Sequence, residues 1–240
     1  MRSASLIALL ALTACSPAKD RNPGVAATGG GTSRIYELAG FTGVSLRGSD
    51  DVDVRVGSGF SVRAEGPAAE LDTLRIVRDG DMLSIGRKPS SSFQWGDTAH
   101  VKIYVTMPRI TTADLSGAGD LAIDRVEGER FRLDSKGSGD IAIGTLGVES
   151  ADLSLSGTGT LSAKGSARQL KIDLAGTGDV DASGLKAASA TVSVLGTGNV
   201  HATVDGPARV SATGTGDIDL GPAARCTTSN TGTGEVRCGG

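Results

Sequence analysis

The sequence predicts an all-β protein: a right-handed parallel β-helix (β-solenoid) with about 18–20 residues per rung, capped by an N-terminal β-lobe. Three observations predict it: a repeated pair of glycines, a nearly constant spacing between the copies, and a two-residue alternation of apolar and polar side chains. Glycine is also abundant, at 36 of 240 residues, about twice its usual share.

The repeated element is a pair of glycines separated by one residue, and it occurs seven times. The first glycines of successive copies are 20, 20, 19, 20, 18 and 18 residues apart. The first glycines are Gly117, Gly137, Gly157, Gly176, Gly196, Gly214 and Gly232. Repetition at a fixed period of this length is typical of stacked solenoids.

Side chains around each glycine pair alternate with a period of two, which is the period of a β-strand. The residues two and four before the first glycine, and those four and six after it, are mostly Leu, Ile, Val or Ala. Like residues should therefore stack in parallel strands about 4.8 Å apart. We predict that Leu155 and Leu174 pack against each other in adjacent rungs, and that the coil is right-handed as parallel crossovers nearly always are.

Residues 1–15 have the features of an export signal. A positive residue, Arg2, precedes a short apolar stretch, and Leu12-Thr13-Ala14-Cys15 resembles the lipobox of bacterial lipoproteins. This resemblance implies cleavage before Cys15, lipidation of its thiol and a membrane anchor made of several acyl chains. Ser16 after the cysteine implies sorting to the outer membrane. The alternative is an ordinary secretory signal cut near Ala18.

The rest of the chain divides into three predicted parts. Residues 16–33, rich in small and polar side chains, should form a flexible tether. Residues 34–110 contain short alternating runs and turn signals, and are predicted to form the N-terminal β-lobe and first rungs, with a loop at 90–98. Residues 111–240 are predicted to form the regular solenoid.

Several of these segments follow one another in a distinctive order. They are Phe41…Gly43-Val44, Val52-Asp53-Val54, Asp79-Gly80-Asp81-Met82-Leu83-Ser84-Ile85, Val101 to Pro108, and Leu115-Ser116-Gly117-Ala118-Gly119-Asp120. In this order they resemble the GIN-domain family, over about residues 34–238. Members of that family are labelled auto-transporter adhesin head domains, and many are exported β-helical lipoproteins of bacteria. The resemblance implies an adhesin-like function and brings no catalytic residues with it.

Two outward columns of polar residues form a candidate binding face. In the last five copies the residue between the two glycines is always threonine: Thr158, Thr177, Thr197, Thr215 and Thr233. Beside it runs an acidic column that contains Asp120, Asp140, Asp179 and Asp217. The threonines could dock a glycan, peptidoglycan or ice, or simply favour exposed strand positions. The carboxylates could bind Ca²⁺, but calcium-binding β-rolls repeat every nine residues or so.

Composition and motifs argue against several other classes of function. A net charge of −3 and 3% aromatic residues do not suit a nucleic-acid surface. The glycine pairs lack the third glycine and following helix of a dinucleotide site. His100 and His201 have no metal-ligand partners at suitable spacing, so no metal or cofactor is expected.

Two cysteines remain besides Cys15. Cys226 and Cys238 lie at inward positions, six residues before and after Gly232. An exported compartment favours disulfide bonds, so we predict a bond between these cysteines that closes the last rung.

The predicted function is that of a non-catalytic lipoprotein of the cell envelope, presenting a rigid β-helical surface for binding or adhesion. Its predicted partners are the membrane, through the lipid anchor, and a glycan, peptidoglycan or envelope protein, with no nucleic acid. The alternative is a carbohydrate-active β-helix enzyme of the polysaccharide lyase or hydrolase kind, which would need convergent carboxylates in a groove.

Overall fold

A computed structural model of the chain describes residues 24–89 and 100–239, and there the predicted parallel β-solenoid is confirmed. The predicted signal peptide with Cys15, residues 16–23 of the predicted tether and the predicted loop at 90–98 lie outside the described residues. None of the described helices is long and apolar enough to cross a bilayer.

In the described residues, the N-terminal part contains eight strands and one short helix. In chain order they are β1 (Ser33–Tyr36), β2 (Gly43–Gly48), β3 (Asp51–Val56), β4 (Ser61–Glu65), α1 (Ala68–Leu71), β5 (Leu74–Asp79), β6 (Met82–Arg87), β7 (Lys102–Met107) and β8 (Thr112–Gly117).

The solenoid continues with nine further strands, four of which bend around more than one side of the coil. They are β9 (Leu121–Gly137), β10 (Ile141–Gly157), β11 (Thr160–Gly176), β12 (Asp179–Gly196), β13 (Val200–Val204), β14 (Pro207–Gly214), β15 (Ile218–Asp219), β16 (Arg225–Gly232) and β17 (Val236–Arg237).

Each rung has three sides, named here by their position relative to the glycine pair. The first side precedes the pair, as in residues 131–137, and the second side follows it, as in 141–143. The short third side, as in 145–148, returns the chain to the next first side. All three sides pair in parallel with the same sides of the neighbouring rungs.

The core is the predicted inward column of apolar side chains. Leu155 pairs with Leu174 in adjacent rungs, as predicted, and both are buried. Because side chains alternate along a strand, a slip of one residue would turn this column toward water. The apolar pattern therefore determines the register.

The glycine pairs are required by the backbone of the preceding rung. A Cβ added to Gly137 or Gly139 would lie less than 3.0 Å from the backbone oxygen of Gly117 or Gly119, respectively. Each added Cβ would point along the solenoid axis, into the neighbouring rung.

The rung formed by β2 and β3, called here the first rung, lies between the lobe and the regular repeats, and β6 and β7 pair with it in parallel on the lobe side. β2 and β3 stack directly against β8 and β9, so Gly48 is the partner of Gly117. The position of the second glycine is occupied by Asp50, a buried carboxylate that Arg87 contacts with Nη2 at 2.6 Å and Nε at 2.9 Å. This ion pair fastens β6 of the lobe to the first rung.

The lobe covers the N-terminal end of the coil with antiparallel strands. β5 pairs with β6 beyond the first side, while β4 pairs with β7 and β1 beyond the second side. The chain already contacts the lobe before β1 begins. The amide of Val25 donates to the backbone oxygen of Ile76 in β5 at 2.9 Å. Thr28 and Ile35 also form a bridge. Residues 25–28 of the predicted tether thus lie on the lobe.

The C-terminal end is closed by the predicted disulfide bond and by polar residues. Cys226 and Cys238 are bonded, with their Cα atoms 6.1 Å apart. In β16 the inward columns end in Thr228 and Asn230, and both are exposed. The apolar core therefore ends in polar side chains at the last rung.

Candidate functional site

The predicted threonine column is exposed and held on a rigid backbone. The five threonines are Thr158, Thr177, Thr197, Thr215 and Thr233, and each backbone amide donates to a glycine oxygen of the preceding rung at 2.9 to 3.1 Å. Within residues 24–89 and 100–239, their hydroxyl groups have no hydrogen-bond partner. The column therefore offers five free hydroxyls at the spacing of the rungs.

The acidic column is built differently, because its side chains bind the backbone of the next rung. Oδ1 of Asp120 accepts from the amide of Asp140 at 2.9 Å, and Oδ1 of Asp140 accepts from Thr160 at 2.7 Å. The same contact joins Asp179 to the amide of Asn199 at 2.8 Å, Asn199 to Asp217 at 3.0 Å and Asp217 to Glu235 at 2.8 Å. One oxygen of each of these carboxylates is thus used to tie rungs together.

Metal-ligating side chains do not converge in the described part of the chain. No group of three or more His, Cys, Asp or Glu residues there could hold a metal ion. The ring of His100 instead contacts the backbone oxygen of Ser49 at 2.7 Å through Nδ1.

A shallow groove runs along the start of the first side, parallel to the solenoid axis. We call it the axial groove. It consists of a cavity of about 500 Å³ and a second of about 610 Å³. The polar residues of the first are Ser150, Asp152, Gln169, Lys171, Ser189, Thr191, Arg209, Arg225 and Thr227. Those of the second are Arg109, Thr111, Thr112, Glu127, Glu129, Arg130 and Arg132.

The two cavities meet at a cluster of ion pairs. Asp152 lies 3.5 Å from Nη1 of Arg132 and 3.7 Å from Nζ of Lys171. Lys171 also pairs with Asp173, and the hydrogen bond to that carboxylate raises the pKa of Lys171. The middle of the groove is thus neutralised by its own carboxylates.

The C-terminal part of the groove is not neutralised in this way. Arg209 and Arg225 are exposed and lie on adjacent strands, where Arg225 pairs in register with Pro207. Neither guanidinium has a hydrogen-bond or ion-pair partner among the described residues. Two free cations therefore face the same cavity.

The first side continues toward the lobe as a third, strongly charged cavity of about 350 Å³. Asp114 lies there beside Asp134, and burial, together with that neighbouring charge, raises the pKa of Asp114. Asp134 itself pairs with Lys136 at 2.9 Å. The charges on this surface are mostly satisfied among themselves.

The structure thus brings together the predicted threonines and the predicted aspartates as two neighbouring columns. The axial groove was not predicted from the sequence. Its residues lie five and seven positions before the first glycine, for example Arg209 and Arg225. These are also outward positions of the same two-residue period. A comparison of those two columns would have shown that basic residues lack acidic neighbours toward the C-terminus.

Comparison with solved structures shows the same fold in bacterial proteins. A "putative adhesin" from Bacteroides fragilis is 18% identical, with a TM-score of 0.79, and the match covers 86% of this chain and 95% of that one. A "putative lipid binding protein" from Parabacteroides distasonis is 16% identical, with a TM-score of 0.69 and coverage of 86% and 95%. A "putative adhesin" from the same species is 18% identical, with a TM-score of 0.64 and coverage of 86% and 96%.

Sequence comparison identifies the family. No curated protein sequence matches the chain significantly. The profile of the family described as "Putative auto-transporter adhesin, head GIN domain" matches residues 40–221, which include the first rung and most of the solenoid. The chain therefore belongs to the GIN-domain family.

Proposed function

We propose that the protein is a non-catalytic lipoprotein of the cell envelope that binds a glycan, peptidoglycan or an envelope protein through its β-helical surface. Acylated Cys15 anchors it in the membrane, and Ser16 directs it to the outer membrane. The lipobox-like sequence before Cys15 supports the anchor, and membership of an adhesin-like family supports a surface function.

The observation that carries this proposal is the free threonine column. Its backbone is held by inter-rung hydrogen bonds of 2.9 to 3.1 Å, so the positions from which the threonine side chains project are fixed before any ligand arrives. Preorganised groups lose little conformational entropy on binding. A repeating ligand can satisfy several of these hydroxyls at once, which suits a polymer of the envelope.

Two observations favour binding over the carbohydrate-active enzyme that the sequence left open. Asp152, a carboxylate of the axial groove, is engaged by Arg132 and Lys171. Carboxylates of the acidic column accept backbone amides. A general acid or base needs a carboxyl group that is free to exchange a proton with substrate.

The neighbour described as lipid binding suggests a second kind of ligand, a free lipid. We favour a polar ligand because the threonine column and the axial groove both present hydroxyl, amide and charged groups to solvent.

The proposal is tested with a glycan array and with sedimentation on peptidoglycan, using the full-length protein in non-ionic detergent. The combined Thr177→Val, Thr197→Val and Thr215→Val variant should bind about tenfold more weakly, since three hydrogen-bonding groups are lost. Thr145→Val removes an exposed threonine on the third side and should leave binding unchanged. Equal binding by the triple variant would contradict the role of the column.

The anchor has its own test. Cys15→Ala should move the protein from the detergent phase to the aqueous phase in detergent partitioning, because a membrane anchor of this kind needs acyl chains. Identical partitioning of the wild-type and variant proteins would contradict the proposed lipidation.

A further inference from the structure

We propose that the axial groove binds an anionic polysaccharide, with Arg209 and Arg225 contacting its carboxylate or sulfate groups. This inference rests on the proposed binding function and names the class of ligand and the residues that select it.

The shape of the groove fits a chain molecule. Its column runs through six residues of successive rungs: Arg130, Ser150, Gln169, Ser189, Pro207 and Arg225. The register pairs Arg130 with Ser150, Ser150 with Gln169, Gln169 with Ser189, and Pro207 with Arg225. Five steps of about 4.8 Å give a length of about 24 Å. The groove lies along the axis and is open to solvent, so a linear polymer can lie in it and extend past both ends.

The charge of the groove is opposite to that of the whole protein. Its two cavities contain six basic residues and three acidic ones, whereas the chain carries a net charge of −3. A concave surface lined mainly by one sign of charge attracts ligands of the opposite sign. The ligand of this groove is therefore expected to be negatively charged.

Arg209 and Arg225 are the cations best placed to bind it. Arg132 and Lys171 in the same groove already pair with Asp152, and Arg109 and Arg130 share the second cavity with the carboxylates of Glu127 and Glu129. Arg209 and Arg225 have no partner in the described part of the chain, and the only acidic residue lining their cavity is Asp152, which is already paired. The planar guanidinium group donates two parallel hydrogen bonds to a carboxylate or similar oxyanion. Two such groups on adjacent strands can contact successive anionic groups of one polymer.

The other lining groups favour a polysaccharide over a nucleic acid. The amide of Gln169 and the hydroxyl of Thr191 have no hydrogen-bond partner among the described residues, and both face the cavity. Such groups suit the hydroxyls of sugars. None of the residues that line the two cavities is aromatic, and single-stranded nucleic acids are bound largely by stacking on aromatic rings.

Dextran and dextran sulfate provide a direct test, because they share a backbone and differ in charge. The full-length protein in non-ionic detergent should bind dextran sulfate, and also polygalacturonate, at least about tenfold more tightly than dextran. Added salt should weaken this binding because it screens exposed charges. The Arg209→Gln and Arg225→Gln double variant should lose about tenfold or more in affinity for both anionic polymers.

The matched control removes the same charge elsewhere. The Arg55→Gln and Arg168→Gln double variant has the same net charge, and both arginines are exposed outside the groove. This control variant should bind dextran sulfate with an affinity within about twofold of that of the wild type. Unchanged thermal melting of the two double variants would show that their folding is intact.

Three results would overturn the inference: equal loss in both double variants, no preference for the anionic polymers over dextran, or equally tight binding of single-stranded DNA. A protein that binds peptidoglycan through its threonines but shows no such preference would retain the proposed function and lose only this assignment.

Discussion

Replacing Gly178 by alanine tests why the solenoid contains its glycine pairs. Gly178 is the second glycine of its pair, and its amide donates to the oxygen of Gly157 at 3.0 Å. A Cβ at this position would lie less than 3.0 Å from the backbone oxygen of Gly159 and 3.1 Å from Cδ2 of Leu155. Because the obstacle includes backbone, a change of side-chain rotamer cannot relieve it.

The expected loss of stability follows from these contacts. Overpacking a dense interior costs about 1–3 kcal/mol. If the rungs separate locally, the hydrogen bond of Gly178 is also weakened, which costs about 1 kcal/mol more. The free energy of unfolding should therefore fall by about 2–4 kcal/mol, a large part of the usual 5–15 kcal/mol.

Chemical denaturation followed by circular dichroism measures this change, with Gly147→Ala as the matched control. Gly147 lies in the same solenoid without a positive φ angle, and its added Cβ would meet only the oxygen of Val126 at 4.0 Å. The control should be neutral or slightly stabilising, since glycine is unfavourable within a strand. Unfolding of both variants at the same denaturant concentration would refute the proposed role of the glycine pairs.

Three further predictions concern the core, the last rung and the acidic column. Leu174→Asp should prevent folding, because an unpaired charge at this buried position costs several kcal/mol; a normal thermal melting curve would contradict the register. Replacing Cys226 and Cys238 by serine should lower stability by about 2–3 kcal/mol, because the bond spans 12 residues; two free thiols in mass spectrometry of the unreduced wild-type protein would disprove the bond. Asp140→Ala should lower the free energy of unfolding by about 1 kcal/mol, because the hydrogen bond from the amide of Thr160 is lost. Asp140→Asn should retain this hydrogen bond through its amide oxygen. Equal melting temperatures of these two variants would argue against an inter-rung role of Asp140.

The fold could be predicted because the two-residue alternation and the constant period of the glycine pairs both indicate stacked parallel strands. The two-residue alternation predicts that both Leu155 and Leu174 are buried, because a slip of one residue would turn the whole apolar column toward water, and the constant spacing of the glycine pairs aligns them in adjacent rungs. The disulfide bond was predictable for the same reason, since the alternation places Cys226 and Cys238 on inward positions of one rung. The lobe was less clear, because β2 and β8 are neighbours in space but far apart in the chain.

The candidate site could be predicted only in part. The exposure of the threonine and acidic columns followed from the two-residue alternation. In the structure, Asp120 and Asp140 also accept hydrogen bonds from the next rung. These hydrogen bonds depend on side-chain rotamers, which a sequence pattern does not specify. The axial groove depends on how the third side bends into the first. Whether Arg209 contacts a carboxylate, as Lys171 contacts Asp152, depends on the residues of adjacent rungs.

The glycine pairs have a consequence for the exposed C-terminal edge. Because each missing Cβ would point toward the preceding rung, a strand can stack in register on Gly232 and Gly234 only if it also has glycine at both positions. In another copy, β2 and β3 are not free to do so, because they already pair on one side with β6 and β7 and on the other with β8 and β9. Edge strands are common starting points of aggregation, and this steric requirement protects the C-terminal edge from in-register pairing with strands that lack the two glycines.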